Sequence, residues 1–537
     1  MSARLKKSLV LQGSILALAG LISKAIGFVY RIPMANIMGN TGNGLYSVSF
    51  GIYNIALTLS SYSMPLAVSR LMSMRLAKGD EKNAKRLFKD ALLFALCTGL
   101  TAALVLFFGA EAFARLYRKE GLEYPLRILA PTVFVVALLG CCRGYFQGHR
   151  NMVPTALSQV LEQIVNAIVS VVAASGFVRL ATQRGENAPA WGAMGGTTGT
   201  LAGAAAALLF FLIIFTLIRK RQPVKKTETE TEEHRLLFKA IFFTVLPVIL
   251  SQSIYQLGYT MDDLIFGNLM AAKGMAQEVA TSLQGVFNTQ YNQMINLPTA
   301  VATAMASATL PSIVVLHTRG EKQAAKLKMD QILKLNMLIA LPSAVGLAVL
   351  AEPIMGVLFP RLNEYMDTAV MLLRTGSSAV VFYALSTLTT SILQGCDNMR
   401  LPVIHSGLSL AIHVVLVAVL VYFTDLGVYA LIIGNVTFPL LVSILNCRSV
   451  EKLLNMHFLL HKLLIKPLLA SLIMGAAAAG VYYLLKGACG MLISMILAMI
   501  VAFIVYIPAL LSLKLVTAER LKELPLIRKL FRRSRGE

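Results

Sequence analysis

The 537-residue chain is 57% hydrophobic and 14% charged, with a mean hydropathy of +0.70. A soluble domain carries roughly 25% charged residues, so this composition excludes a soluble enzyme, a secreted disulfide scaffold and a protein with one membrane span. The net charge of +23 lies in short segments between apolar runs, not in a basic domain interleaved with aromatics, which excludes nucleic acid as a partner.

In chain order, about fourteen apolar stretches are long enough to cross a bilayer. They run 8–35, 45–74, 88–110, 125–146, 155–178, 192–218, 238–270, 279–316, 330–351, 368–393, 402–423, 428–447, 463–485 and 491–513. Their apolar runs are continuous, so they predict helices and not the alternating strands of a barrel. The first, seventh and eighth exceed what a bilayer needs and predict tilt, kinks or extension past the surface. Lys and Arg concentrate at the N-terminus, in 75–89, 143–150, 219–239, 319–334 and 448–466, and in the tail from 514. The positive-inside rule puts those segments, and with them both termini, in the cytoplasm. MSARLKK leads into the first span without a small-residue cleavage site, so it reads as the start of the topology and not as a removed signal. Cys97, Cys141, Cys142, Cys396, Cys447 and Cys489 form no CxxC or Cys/His cluster and read as small packing residues; no metal site is expected.

An internal repeat organises the chain. EKNAKRLFKDALL at Glu81–Leu93 returns as EKQAAKLKMDQIL at Glu321–Leu333. Arg127, Gln147-Gly148, Asn151-Met152 and Pro154 return in the same order as Arg374, Gln394-Gly395, Asn398-Met399 and Pro402. Each copy holds about six spans, an even number, so both enter from the same side, as in transporters with two parallel lobes. The expected architecture is an all-α polytopic membrane protein: a six-helix lobe at 1–218, a polar cytoplasmic linker at 219–237, a second six-helix lobe at 238–450, two further helices at 451–513 and a basic tail at 514–537. No loop is long enough to hide an extramembrane catalytic domain.

Ionisable groups within spans cost about 2.5 kcal/mol or more at mid-membrane and by default mark a pathway. Lys24 and Arg31 are seven residues apart, hence on one face of the first span, and Pro33 loosens the helix beside Arg31. With Arg70, Arg127 and Arg374 they offer five cations to a central cavity suited to an anionic headgroup such as a pyrophosphate. For Arg70, Arg127 and Arg374, near span ends, snorkelling to lipid phosphates is an equal alternative. Asp262 and Asp263 in the seventh span are candidates for coupling Na⁺ or H⁺, with interhelical hydrogen bonding as the alternative. Polar stripes at helical spacing include Gln159, Glu162, Gln163, Asn166 and Ser170 in the fifth span, and Gln284, Asn288, Asn292, Gln293, Asn296, Thr299 and Thr303 in the eighth. Such faces predict a hydrated cavity, since lipid-facing helices do not keep them. Gly195, Gly199 and Gly203 predict close helix packing in the sixth span. GNTGNG at Gly39–Gly44 lacks the GK[ST] ending of a phosphate loop and reads as a turn or hinge; His405 and His413 are isolated and read as structural.

The segments SKAIGFVYRIPMANIMGNTGNGLYSVSFGIYNIAL, MPLAVSRL and QGHRNMVPTALSQVLEQI resemble polysaccharide-transport members of the multidrug/oligosaccharidyl-lipid/polysaccharide exporter superfamily, in particular the stage V sporulation protein B type, related to MurJ-type lipid II flippases. The resemblance covers essentially the whole chain. It implies two six-helix lobes around a cationic cavity, with the last two helices forming a groove for a polyprenyl tail. It also implies cavity cations in the first, second and eighth spans. Lys24, Arg31 and Arg70 supply the first two; Tyr30 stands where the family's GF-x-R arginine falls, Asn292-Gln293 where an acid–Arg pair falls, and Asn166 where relatives often carry a basic residue.

The expected function is therefore non-enzymatic: a bacterial cell-membrane flippase that moves a polyprenyl-pyrophosphate-linked precursor, lipid II first among them, from the inner to the outer leaflet by alternating access. The partners are an undecaprenyl-linked glycan and membrane lipids, the protein is a monomer, and no cofactor is needed beyond an ion gradient or the membrane potential. The alternatives are another lipid-linked envelope glycan, including a sporulation-specific one, a cation-coupled drug antiporter, and a membrane-embedded glycan ligase. The basic cavity disfavours the antiporter, and the short outer loops without catalytic carboxylates disfavour the ligase.

Overall fold

The computed structural model describes residues 3–219, 231–396, 398–454 and 461–515. Residues 220–230 of the expected linker and most of the expected tail lie outside the described residues. The described regular elements are helices: α1 Ala3–Ser60, α2 Met64–Ala77, α3 Glu81–Leu116, α4 Glu123–Gly148, α5 Val153–Arg184, α6 Ala188–Arg219, α7 His234–Ala272, α8 Gln277–Gly285, α9 Asn292–Thr318, α10 Lys322–Val349, α11 Ala351–Leu358, α12 Met366–Gly376, α13 Ala379–Gly395, α14 Arg400–Phe423, α15 Tyr429–Leu454 and α16 Lys466–Ser512. A π-helical turn at Val286–Tyr291 joins α8 to α9, and another at His461–Ile465 precedes α16.

Among the described residues nine helices are long and apolar enough to cross a membrane, or ten if Pro360–Gly376 and Ala379–Gly395, bent by 45°, form one span. This is fewer than the stretches expected, and two long runs explain part of the difference. Ser14–Ala77 and Leu463–Ser512 each count once, although the backbone leaves helical geometry inside them at Gly39 and Gly490. Both breaks fall where the sequence divides one apolar stretch from the next.

The repeat is visible as local structure. Left-handed Gly79 and Gly320 precede the two copies of the first motif, and each copy opens a helix, α3 and α10. At α3 the Asp80 carboxylate accepts the Asn83 amide at 3.1 Å, capping otherwise unpaired N–H groups. The second motif closes α4 at Gly148 and α13 at Gly395.

The chain forms two compact units, Met1–Thr289 with Val417–Val428, and Gln290–Leu416 with Tyr429–Glu537. The division falls within the π-turn after α8. In the first unit, Leu237, Ile241 and Val245 of α7 share one buried cluster with Ala84, Leu87 and Ala91 of α3 and Met64, Val68 and Met72 of α2. Small residues pack α6 onto α5 as expected: a β-carbon at Gly195, Gly199 or Gly203 would lie 2.6, 2.1 or 2.5 Å from α5 atoms. In the second unit, Leu350, Ala478, Tyr482 and Ala498 form one apolar cluster and Ala470, Ala509 and Leu510 another. Helix association in lipid rests on such close packing, because the hydrophobic effect does not distinguish helix from lipid tail.

Candidate functional site

The first unit holds two polar clusters. One is built on the turn between α3 and α4. That turn closes with the Lys119 amide on the Ala114 carbonyl at 2.9 Å, and Arg118 takes the left-handed position usually given to glycine (φ 49°). A side chain there costs about 1–2 kcal/mol. The next residue, Lys119, is turned inward and is only 2% exposed. Its ammonium donates to the Thr281 hydroxyl of α8 at 3.0 Å. Burial pushes this ammonium down to about 8, while the charge of Asp263 in α7 pulls the other way. The Asp263 carboxylate accepts from the Asn288 amide at 2.6 Å, and its backbone carbonyl accepts from the Gln284 amide at 2.8 Å. Asn268 of α7 donates to the Leu116 carbonyl at the end of α3 at 3.1 Å.

The GNTGNG segment completes this cluster. A β-carbon on Gly44 would lie 2.0 Å from the Thr281 carbonyl oxygen, and one on Gly285 would lie 2.2 Å from the Asn40 carbonyl oxygen. Only glycine at these two positions lets α1 and α8 meet backbone to backbone. The Thr41 and Ser282 hydroxyls share a hydrogen bond at 2.9 Å beside them. The segment is thus a hinge at Gly39 and a helix contact at Gly44.

The other cluster lies between α1, α4, α5 and α6. Arg31 is exposed on α1 with Tyr30 and Tyr46 beside its guanidinium. The Tyr30 hydroxyl accepts from the Asn166 amide at 3.3 Å; Ser170 donates to Asn166 at 2.9 Å and to the Gly196 carbonyl at 2.8 Å. Asn166 is therefore buried in a neutral chain that joins α1, α5 and α6. Glu162 is paired: Arg143 of α4 places Nη2 2.6 Å from its carboxylate and donates through Nε to Ser158 at 3.1 Å. Sequence reasoning counted Arg143 with the cytoplasmic loop charges; the structure instead puts it inside α4, one turn before the helix ends, with its side chain 15% exposed.

The remaining expected residues do not join these clusters. Lys24, Arg70 and Arg374 are exposed and make no ion pair among the described residues. Arg127 is not a lone cation, because Glu111, one helix away, lies 2.7 Å from it in an exposed pair. The eighth-span stripe divides at the π-turn, whose i→i+5 bonding adds a residue and rotates the face that follows. Gln284 and Asn288 reach Asp263, whereas in the second unit Asn292 is half-buried, Gln293 buried and Asn296 exposed. Asp262 is buried beside Asp263. Lys119 was not foreseen: in sequence it sits between Arg118 and Glu120 in a short loop, like any solvated charge. Among the described residues no three His, Cys, Asp or Glu side chains gather as metal ligands.

Residues 9–317, more than half of the chain, match the family described as polysaccharide biosynthesis protein. The chain belongs to this family. It is 24% identical over 450 residues to the stage V sporulation protein B of Bacillus subtilis (strain 168), covering 83% of this chain and 85% of that protein. It is 26% identical over 423 residues to the lipid II flippase MurJ of the same organism, covering 76% and 77%. Among solved structures, the lipid II flippase MurJ in an inward closed conformation aligns with a TM-score of 0.67 at 16% identity, covering 92% of this chain and 97% of that one. An inward-facing multidrug resistance transporter of the MATE family aligns with a TM-score of 0.64 at 17% identity, covering 81% and 95%. The fold of this family member is accordingly the all-helical, multi-pass membrane fold shared by those two transporters.

Proposed function

We propose that this chain is a flippase for a polyprenyl-pyrophosphate-linked cell-envelope precursor, with lipid II as the first candidate. One observation carries the reading: Arg31 is an exposed guanidinium within a membrane-crossing helix, flanked by tyrosines and with no carboxylate paired to it among the described residues. Such a group is costly in a span and suits the negatively charged oxygens of a pyrophosphate, which a guanidinium binds through two parallel hydrogen bonds. The name of the B. subtilis relative, a lipid II flippase, supports the same substrate class. Lys24 on the same face of α1 adds a second cation, and Arg70 and Arg374 serve as further contacts or as lipid anchors. The chain binds and releases its cargo by alternating access and breaks no covalent bond. An ion gradient or the membrane potential drives it, with Asp262 and Asp263 as the ion-coupling acids, and both termini face the cytoplasm.

A second reading rests on the longer match to stage V sporulation protein B: the cargo is a different undecaprenyl-linked glycan, needed at one stage of the cell's life. Depleting the protein in its host and identifying the undecaprenyl-linked intermediate that accumulates on the inner leaflet separates the two. Accumulated lipid II supports the first reading and another glycan the second. Unchanged levels of every such intermediate would refute both.

A further inference from the structure

The first unit holds a buried charge, Lys119, that the flippase reading does not use. Lys119 comes from a turn, where a lysine ordinarily reaches solvent, yet this one is held inward by a left-handed Arg118 and is 2% exposed. Its ammonium bonds Thr281 of α8, and it feels the charge of the buried Asp263 carboxylate, itself held by Asn288 just beyond α8. At the same place Gly44 and Gly285 bring α1 and α8 into backbone contact. A buried ammonium and a buried carboxylate each lose their hydration, and each is tolerated only with the other nearby.

We propose that Lys119 is the built-in counter-cation of Asp263 in α7 and, through Thr281, a latch that fastens α8 to the α3–α4 turn. Lys119 is a positioning residue: it acts through Asp263 and Thr281 and touches no cargo. The proposal goes beyond the flippase reading and stands or falls whatever the chain transports. It also gives the Gly44 contact a purpose, because the latch closes only if α8 lies against α1. A transported cation taken up by Asp263 must then displace an ammonium, not fill a vacant carboxylate.

The test is the rate at which a water-soluble maleimide labels Ser282→Cys in purified full-length protein, read by peptide-resolved mass spectrometry so that native cysteines do not interfere. Ser282 is buried beside the contact, so labelling reports its opening. Lys119→Met and Asp263→Asn each leave one buried charge alone and should label at least about tenfold faster than the parent. Lys119→Arg keeps the charge and should stay nearer the parent than Lys119→Met does. The double variant Lys119→Met/Asp263→Asn removes both charges and should return to within about threefold of the parent, the non-additivity expected of a pair. Parent-like labelling of Lys119→Met, or a double variant as fast as the product of the singles, overturns the proposal. If a single variant fails to fold, the double decides: recovery of folded, slowly labelled protein supports the pair, and a double as poorly recovered as the single overturns it.

Discussion

The buried polar residues of the first unit include Asp90, Lys119, Asp262 and Asp263, whereas those described in the second unit are uncharged side chains and His413. In its interior the second unit ties its helices with neutral hydrogen bonds, and its inter-helix ion pair, Lys486 with Glu352 at 3.6 Å, is exposed. Tyr291 donates to the Gly376 carbonyl at 3.0 Å and to Asn435 at 3.1 Å, His405 meets Asn446 at 2.7 Å, and His413 meets the Gly434 carbonyl at 3.0 Å. The first unit adds a partly buried ion pair, Arg143 with Glu162, and a contact of Asp90 with the His234 ring of α7 at 2.7 Å. Two halves that share a sequence repeat have therefore diverged in charge. Buried charge is the dearer way to hold helices together in a membrane. Among the described residues, the buried charge is concentrated in the first unit.

The contrast breaks most directly at Arg143. Replacing it with Met strands the Glu162 carboxylate, partly buried at 20% side-chain exposure, and should cost about 3 kcal/mol, the lower end of what removing one partner of a buried pair costs. Adding Glu162→Gln should restore part of that loss. Thermal melting of the purified variants checks both, and a double variant less stable than Arg143→Met would show that the two charges do not act as a pair. Tyr291→Phe in the second unit removes only neutral hydrogen bonds and should cost about 1 kcal/mol. A loss there as large as that at Arg143 would erase the distinction between the units. Arg127→Ala opens an exposed pair with Glu111 and should change the melting temperature least, by well under about 1 kcal/mol in stability.

Much of this was legible in the sequence because it is periodic. Apolar runs gave the helices, the repeated motifs marked matching helix starts and ends, and the small residues of the sixth span predicted close helix packing, which the structure places on α5. The spacing of Gln284 and Asn288 predicted a polar face lining a hydrated cavity, whereas the structure has both bonded to Asp263, and the π-turn after α8 changes the period of the stripe without a sequence signal. Pairings escaped for a different reason. Arg143 lies near a basic loop and Lys119 in a short polar turn, where charge ordinarily means solvent. What buries them is tertiary: the approach of α5 to α4 in one case, and of α8 to α1 in the other. The glycines of GNTGNG were a signal for that approach, although the sequence does not say which helix fills the space they leave.

The central claim is that cations of the first unit, led by Arg31, hold a pyrophosphate-linked lipid. Its most direct test is equilibrium binding of undecaprenyl pyrophosphate to the purified protein, measured for the parent, Arg31→Ala and Arg31→Glu. A hydrogen bond to a charged group contributes roughly 1.5–3 kcal/mol, so Arg31→Ala should weaken binding about ten- to a hundredfold, and Arg31→Glu should weaken it further by adding repulsion. Binding by Arg31→Glu at the affinity of the parent would contradict the account.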